Sequence, residues 1–111
     1  MVAYAQAERV FDALGDSTRR AVFLRLKGRA RSVGELAEGL AVTRSAVSQH
    51  LKVLKDARLV TARAEGTRRL YAVDQRGIET VRDWLDGFWD ETLAAFKDAA
   101  EREAAKERKS K

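Results

Sequence analysis

The chain has 111 residues, a formal net charge of +5 at pH 7 and no cysteine. This length suits one domain, or one domain with an extended tail, and makes it difficult to bury a large core without a second copy. The lack of cysteine excludes disulfides, thiolate metal sites and thiol redox chemistry. No apolar stretch approaches the ~20 residues of a membrane span, and the N-terminus has no apolar signal-peptide core, so we expect a soluble, cytoplasmic protein.

Positive charge is concentrated in the middle of the chain. Residues 1–18 carry a net charge of −2, residues 19–76 of +9, residues 77–96 of −4 and residues 97–111 of +2. Such a concentration favours a polyanionic partner, and double-stranded DNA is the polyanion that we predict. The alternative is a solvated basic surface that has no partner.

Two short helices are predicted before Gly28. The first spans about residues 5–14, and the second begins at an Asp16 or Ser17 cap and runs to about residue 27. Apolar residues recur at helical spacing in both helices. In the first helix the stripe consists of Ala7, Val10, Phe11 and Leu14.

Residues 32–54 have the pattern of a helix-turn-helix. Ser32, with Glu35 three residues later, forms a capping box and predicts the start of a helix. Gly39 marks a tight turn, and Thr43 caps a second helix. Two amphipathic helices joined by a short turn also occur in ordinary all-α cores, so a purely structural role is the alternative. The inner face of the second helix carries Val47, Leu51 and Leu54.

The outer face of this second helix is polar and basic and has no acidic residue. Its side chains are of the types that hydrogen-bond to base edges and phosphates in a major groove. His50 lies where such motifs often carry an aliphatic residue, so it either faces DNA or packs inward. We expect base contacts from Arg44, Ser45, Ser48 and Gln49. We expect phosphate contacts from Thr43, His50 and Lys52.

A β-hairpin is predicted directly after the helix-turn-helix. Apolar and polar residues alternate in residues 60–64 and again in residues 69–73, and the turn between them contains Gly66. A hairpin in this position with arginines at its tip is typical of a wing that contacts phosphates or enters the minor groove. A surface hairpin without a role in binding is the alternative. The arginines are Arg63, Arg68 and Arg69.

The spacing becomes helical again from residue 74 or 75, and four of the eight aromatic residues lie in this last helix. Its apolar stripe is too wide for a small winged domain to cover, so we predict that a second copy covers it, with help from the first helix. Packing within one chain and a ligand pocket among the aromatic residues are the alternatives. The predicted dimer interface comprises Val10, Phe11, Leu14, Val81, Trp84, Leu85, Phe88, Trp89 and Phe96. We place the domain at residues 1–96 and a charged, helical or frayed tail at residues 97–111.

Three segments, residues 11–26, 35–60 and 65–73, together resemble the ArsR/SmtB family of winged helix-turn-helix repressors. The resemblance covers roughly residues 5–96 in one register. It implies a mainly α fold of about five helices plus a two-stranded wing, with dimerisation through the first and last helices. It also implies repression at an operator with two-fold symmetry.

The chain departs from the metal-sensing members of that family. Residues 31–36 contain no thiol where many members carry a Cys-x-Cys pair, and the last helix contains no histidine. One imidazole and scattered carboxylates are poor ligands for zinc or a soft metal. Asp86 and Asp90 could bind a hard cation weakly, but a solvated acidic face is the simpler interpretation. We therefore predict a non-metal-sensing protein without a cofactor.

The function that the sequence favours is that of a homodimeric DNA-binding repressor, and a small-molecule inducer that releases DNA stays compatible with it. The alternative is a protein-interaction module that uses the aromatic last helix. An enzyme is disfavoured, because the chain has no cysteine nucleophile, a single histidine and no Gly-rich phosphate loop. No catalytic residue is predicted.

Overall fold

The computed structural model describes residues 2–109, with side chains from residue 5 onward. This part of the chain contains five helices and one two-stranded sheet, as predicted. The chain divides after Val81 into two units, residues 1–81 and residues 82–111. The elements are α1 (Val2–Gly15), α2 (Ser17–Leu24), α3 (Val33–Glu38), α4 (Arg44–Asp56), β1 (Val60–Glu65), β2 (Arg68–Val73) and α5 (Gln75–Lys109).

Side-chain caps fix where three of the helices begin. The Asp16 carboxylate accepts a hydrogen bond from the Arg19 backbone N–H at 2.9 Å, so α2 begins at the predicted cap. The reciprocal capping box of Ser32 and Glu35 is present at the start of α3. The Thr43 hydroxyl accepts from the Ala46 N–H at 3.1 Å at the start of α4. Each bond satisfies a backbone donor that the first turn of a helix leaves unpaired.

The predicted end of α2 near residue 27 was wrong, because the helix ends at Leu24. The next N–H groups bond three residues back, from Leu26 to the Phe23 carbonyl and from Lys27 to the Leu24 carbonyl. This tightening of the last turn carries Leu26 into the core. Gly28 then adopts a φ of 94°, which lets the chain turn away.

The end of α4 directs the chain into the hairpin. The Leu59 N–H donates to the Leu54 carbonyl at 2.9 Å, and the Arg58 N–H donates to the Lys55 carbonyl at 3.0 Å. With Arg58 at a φ of 61°, these bonds form a Schellman motif. Leu54 and Leu59 are both fully buried, and this apolar pair commonly accompanies the motif. The hairpin therefore begins at a fixed angle to α4.

Strands β1 and β2 are antiparallel, with Val60 opposite Val73 and Glu65 opposite Arg68. Gly66 occupies the first position of the two-residue turn with a φ of 63°. A β-bridge joins Tyr71 of β2 to Arg31, with N–O distances of 2.8 and 2.9 Å. The hairpin is thus hydrogen-bonded to the segment that leads into α3.

A single core holds the first unit together. Its residues come mainly from α1, α2, α3, α4 and β1. Burial of their apolar side chains from water is the main contribution to the stability of this unit. Val10, which we predicted to lie at the dimer interface, belongs to this core and is only 1% exposed. It is therefore not part of the chain's outer surface. The core consists of Val10, Ala13, Val22, Leu26, Leu36, Val47, Leu51, Leu54, Ala57, Leu59 and Val60.

The start of α5 is anchored within the first unit. Asp74 accepts from the Arg76 N–H at 3.0 Å, and the Gly77 N–H donates to the Arg58 carbonyl at 2.8 Å. A Cβ atom added at Gly77 would lie 2.7 Å from that carbonyl oxygen, which explains the glycine. The helix then continues without a break through residue 96, where we placed the domain boundary, to Lys109.

Candidate nucleic-acid interface

Helix α4 has one buried and one exposed face, as its sequence pattern predicts. Val47, Leu51 and Leu54 are fully buried in the core. His50 is half-buried, between the two roles considered for it. The predicted DNA-contacting residues that lie exposed on this helix and its cap are Thr43, Arg44, Ser45, Ser48, Gln49 and Lys52.

The first residue of α4 lies against the first turn of α3. A Cβ atom added at Gly34 would lie 3.2 Å from a guanidinium nitrogen of Arg44, which is closer than Cβ atoms usually approach another atom. Gly34 thus leaves room for the Arg44 guanidinium to rest on the α3 backbone. This packing restricts the side chain before any ligand binds, although Arg44 stays exposed to solvent.

The wing carries its three predicted arginines on the surface. Arg63, Arg68 and Arg69 are all exposed. Arg63 lies 3.7 Å from the Glu65 carboxylate on its own strand. The Arg68 guanidinium lies 3.8 Å from the Glu35 carboxylate of α3. Exposed pairs at such distances are weak, so these guanidinium groups remain available to another anion.

An open cleft of about 540 Å³ lies between the helix-turn-helix and the wing. It brings together four predicted DNA-contacting residues from two elements. Two come from α4 and two from the wing, so α4 and the hairpin share one basic surface. The lining residues are Ser32, Val33, Gly34, Glu35, Glu38, Arg44, Ser48, Arg68, Arg69 and Tyr71. The predicted contacts that do not line this cleft are Thr43, Ser45, Gln49, His50, Lys52 and Arg63.

The Glu35 carboxylate lies in the wall of this cleft. It accepts hydrogen bonds from the Ser32 N–H and hydroxyl, both at 3.2 Å, and lies 3.0 Å from the Arg29 guanidinium. The hydrogen bond from the Ser32 backbone, followed by those from Arg29 and the Ser32 hydroxyl, holds the pKa of Glu35 below its ordinary value. Glu35 is therefore a fixed anion in a cleft that is also lined by Glu38 and three arginines.

A second carboxylate, that of Asp16, caps α2. The hydrogen bond from the Arg19 backbone, with the nearby charge of Arg19, lowers the pKa of Asp16.

Sequence reasoning missed two residues of this surface. Arg29 was assigned only to a linker, and Glu35 only to a helix cap. The contact of Glu35 with Arg68 joins residues 33 positions apart. Only the docking of the wing onto α3 creates this contact, so no local pattern signals it. The capping box did, however, fix where the Glu35 carboxylate lies.

Among residues 2–109, no group of three or more His, Cys, Asp and Glu side chains is arranged to hold a metal ion. Within the same range, every helix is too short or too polar to pass through a lipid bilayer.

Five helices, a helix-turn-helix with a polar outer face and an arginine-tipped hairpin define a winged helix-turn-helix DNA-binding protein. Residues 14–63 match the sequence model of a helix-turn-helix domain family. The HTH-type transcriptional regulator Rv2034 of Mycobacterium tuberculosis is 50% identical over 96 residues, which cover 86% of this chain and 90% of the relative.

Solved structures agree with these sequence matches. An ArsR-like transcriptional regulator from Rhodococcus sp. RHA1 superposes with a TM-score of 0.74 and 32% identity, covering 90% of this chain and 97% of that one. The homodimeric winged helix-turn-helix domain of Mb0332 from Mycobacterium bovis gives 0.62 and 30%, covering 81% and 83%. The chain belongs to the ArsR/SmtB family of winged helix-turn-helix transcriptional regulators, whose members bind DNA.

Proposed function

We propose that the chain acts as a homodimeric transcriptional repressor on an operator with two-fold symmetry. The observation that carries this proposal is the shared cleft, where Arg44 and Ser48 of α4 lie beside Arg68 and Arg69 of the wing. A duplex that places a major groove against α4 would then offer phosphates to the wing arginines. In a dimer, two such surfaces would contact half-sites about 34–36 Å apart, or a near multiple of that distance.

Different residues would supply affinity and specificity. Arg44, Ser45, Ser48 and Gln49 would contact base edges, because they project from the exposed face of α4. A second group would contact phosphates or the minor groove, which fixes register without reading sequence. This group comprises Thr43, His50, Lys52, Arg63, Arg68 and Arg69. Thr43 can take part, since its oxygen accepts the capping bond while its O–H remains able to donate.

The second unit would supply most of the dimer contact. Trp84 stacks on Phe88 with ring centroids 5.7 Å apart, and Phe88 meets Trp89 edge-on at 5.5 Å. Five large apolar side chains on this helix expose 40–70% of their surface. A contiguous exposed apolar patch of this kind marks an interaction surface. A neighbouring structure, Mb0332, is homodimeric, which supports a second copy as the cover. The exposed side chains are Leu85, Phe88, Trp89, Leu93 and Phe96.

The first unit would contribute smaller areas to the dimer. Phe11 exposes 42% of its surface, and Leu14 and Val81 are half-buried against the core. A second copy could cover the exposed parts of all three side chains. Val10 is left out of the proposed interface because it lies in the core.

The proposed regulator has further properties, namely its lack of catalysis and cofactors, its response to an inducer and its cellular compartment. We propose a regulator with no catalytic role, no resident metal and no cofactor, because the sequence has no cysteine, a single histidine and no Gly-rich phosphate loop. A small-molecule inducer could act at the dimer surface. Because the proposed partner is chromosomal DNA, we place the protein in the cytoplasm.

Two alanine variants separate base contacts from phosphate contacts. Gln49→Ala should lose discrimination between operator and random DNA, since it removes a base contact. Arg68→Ala should weaken binding to both DNAs alike and reduce the salt dependence by about one unit of slope. Titration of labelled duplexes by fluorescence anisotropy at several salt concentrations measures both effects. Arg102→Ala, which removes the same charge from the tail, is the matched control, and parental binding by both Gln49→Ala and Arg68→Ala would refute the assignment.

Selection of bound sites from a random DNA pool would supply the operator and test its symmetry. An inverted repeat with half-sites about one helical turn apart is expected. Sedimentation of the purified protein should show a dimer. A monomer that associates only with another protein would instead support the protein-interaction module.

A further inference from the structure

The basic cleft contains a carboxylate in contact with one of the arginines proposed to hold DNA. Glu35 lies 3.0 Å from Arg29 and 3.8 Å from Arg68, and its side chain is only 28% exposed. Its position does not depend on either arginine, since the Ser32 N–H and hydroxyl also hold it. In the cleft lining, Glu35 and Glu38 are the acidic residues, beside three arginines.

We propose that Glu35 is a positioning residue that holds Arg68 in the DNA-free protein and competes with DNA phosphate for it. The proposal rests on the assignment of Arg68 as a phosphate contact. When a duplex binds, the Arg68 guanidinium exchanges the Glu35 carboxylate for a phosphate oxygen. Arg68 is thus paired with an anion in both the DNA-free and the DNA-bound protein. The free energy gained on DNA binding is smaller by the energy of the Arg68–Glu35 pair that is given up.

Geometry makes this exchange easy. The Arg68–Glu35 pair is long, and the arginine side chain is 56% exposed, so the pair is weak and open to water. A phosphate offers a charged, bidentate acceptor that guanidinium groups bind well. Arg29, the closer partner at 3.0 Å, keeps Glu35 paired after Arg68 has left. Release of Arg68 therefore does not leave an isolated carboxylate in the cleft.

The role of Glu35 in the capping box is separable from its charge. Glutamine is also accepted at this position of a capping box, because its side-chain oxygen still accepts from the cap N–H. Glu35→Gln should therefore keep α3 and lose the attraction for Arg68. Thermal unfolding of the variant, followed by circular dichroism, checks that the fold is retained.

The predicted result is tighter DNA binding by Glu35→Gln. Affinity for both operator and random DNA should rise about three-fold at low salt, as expected for the loss of one weak competing pair. The gain should shrink as salt rises, because salt screens the pair between exposed groups. A purely structural role in capping predicts no gain, because glutamine preserves the cap. Binding would then stay parental, or would weaken together with a lower melting temperature if the cap were lost after all.

A matched control and a double-mutant cycle complete the experiment. Glu38→Gln removes the same charge from the same cleft, where Glu38 forms no ion pair among the described residues, and it should give a smaller gain. In an Arg68→Ala background, the gain from Glu35→Gln should fall to the size seen with Glu38→Gln.

The outcomes distinguish this inference from the proposed function. If Arg68→Ala weakens DNA binding but Glu35→Gln behaves like Glu38→Gln, only the competition is refuted. A gain from Glu35→Gln that persists without Arg68 also refutes it. If Arg68→Ala has no effect, both the phosphate contact and the competition are wrong.

Discussion

The two units of the chain handle their apolar side chains in different ways. Residues 5–81 contain a core built from four helices and a strand, and nine large side chains in it are almost completely buried. Residues 82–109 form one continuous helix in which no described residue is buried. Leucine, for example, thus serves as core in one unit and as surface in the other.

This difference indicates where each unit gets its stability. The first unit gains free energy from burial within one chain, which is independent of protein concentration. The helix of the second unit, which is the later part of α5, is stabilised by helix propensity and by pairs such as Arg102 with Asp98. Its aromatic face can gain burial only from association. Protein concentration should therefore affect the two units differently.

The largest expected effect is the loss of a core side chain. Leu51→Ala should lower the free energy of unfolding by about 3 kcal/mol, because it leaves a cavity beneath α4. Urea titration measures this loss, which should be the same at all protein concentrations after allowance for dimerisation. Val53→Ala on the same helix removes a half-exposed side chain and should change the free energy of unfolding by less than about 0.5 kcal/mol. Equal losses from the two variants would contradict the assigned faces of α4.

A smaller effect, on dimerisation, is expected on the surface of the second unit. Trp89→Ala should weaken dimerisation by about 2 kcal/mol, roughly 30-fold in dissociation constant, as for an aromatic residue at the centre of an interface. Sedimentation equilibrium over a range of concentrations measures this change. Asp83→Ala, an exposed position about 120° around the same helix from Trp89, is the control and should dimerise like the parent protein. An unchanged dimer in Trp89→Ala would show that another surface covers the chain.

Local signals in the sequence predicted most of the first unit. Capping residues such as Ser32 and Thr43 act within three residues, so they are visible without the fold. The end of α2 was missed, because the turns after Leu24 form only when Leu26 enters the core. Val10 was misassigned for a related reason. A helical stripe shows which residues are apolar, but not which side of a broad stripe faces the core.

The exposure of the candidate DNA-contacting residues was predictable from the sequence, but their arrangement was not. The outer residues of α4 followed from periodicity, and the wing arginines from their position in a hairpin. The cleft that joins Arg44 to Arg68 depends on the Arg31–Tyr71 bridge and on the Schellman motif after α4. The sequence carries no local signal for the bridge, and Arg58 at a φ of 61° is an uncommon choice where glycine is usual.

The smallest expected effect concerns pH and sharpens the same comparison, because Asp16, Glu35 and Asp74 all lie in the first unit. The bidentate hydrogen bonds from the Arg76 side chain, followed by the Arg76 backbone N–H, lower the pKa of Asp74 below its ordinary value of 3.8. A lowered pKa in the folded state means that ionised Asp74 stabilises the fold above pH 3.8. That contribution is lost as the pH falls below this value toward the lower folded pKa.

Replacing this carboxylate should therefore flatten the acid limb of the stability curve. Asp74→Asn retains a side chain that can cap α5, but it has no charge to lose. Its free energy of unfolding, measured in urea between pH 6 and pH 2, should fall less steeply below about pH 4 than that of the parent protein. Asp86→Asn, which removes an exposed carboxylate from the second unit, should leave the parental slope. If Asp74→Asn kept the parental slope as well, the acid sensitivity would belong to Asp16 and Glu35. It would then arise at the caps of α2 and α3 and not at the start of α5.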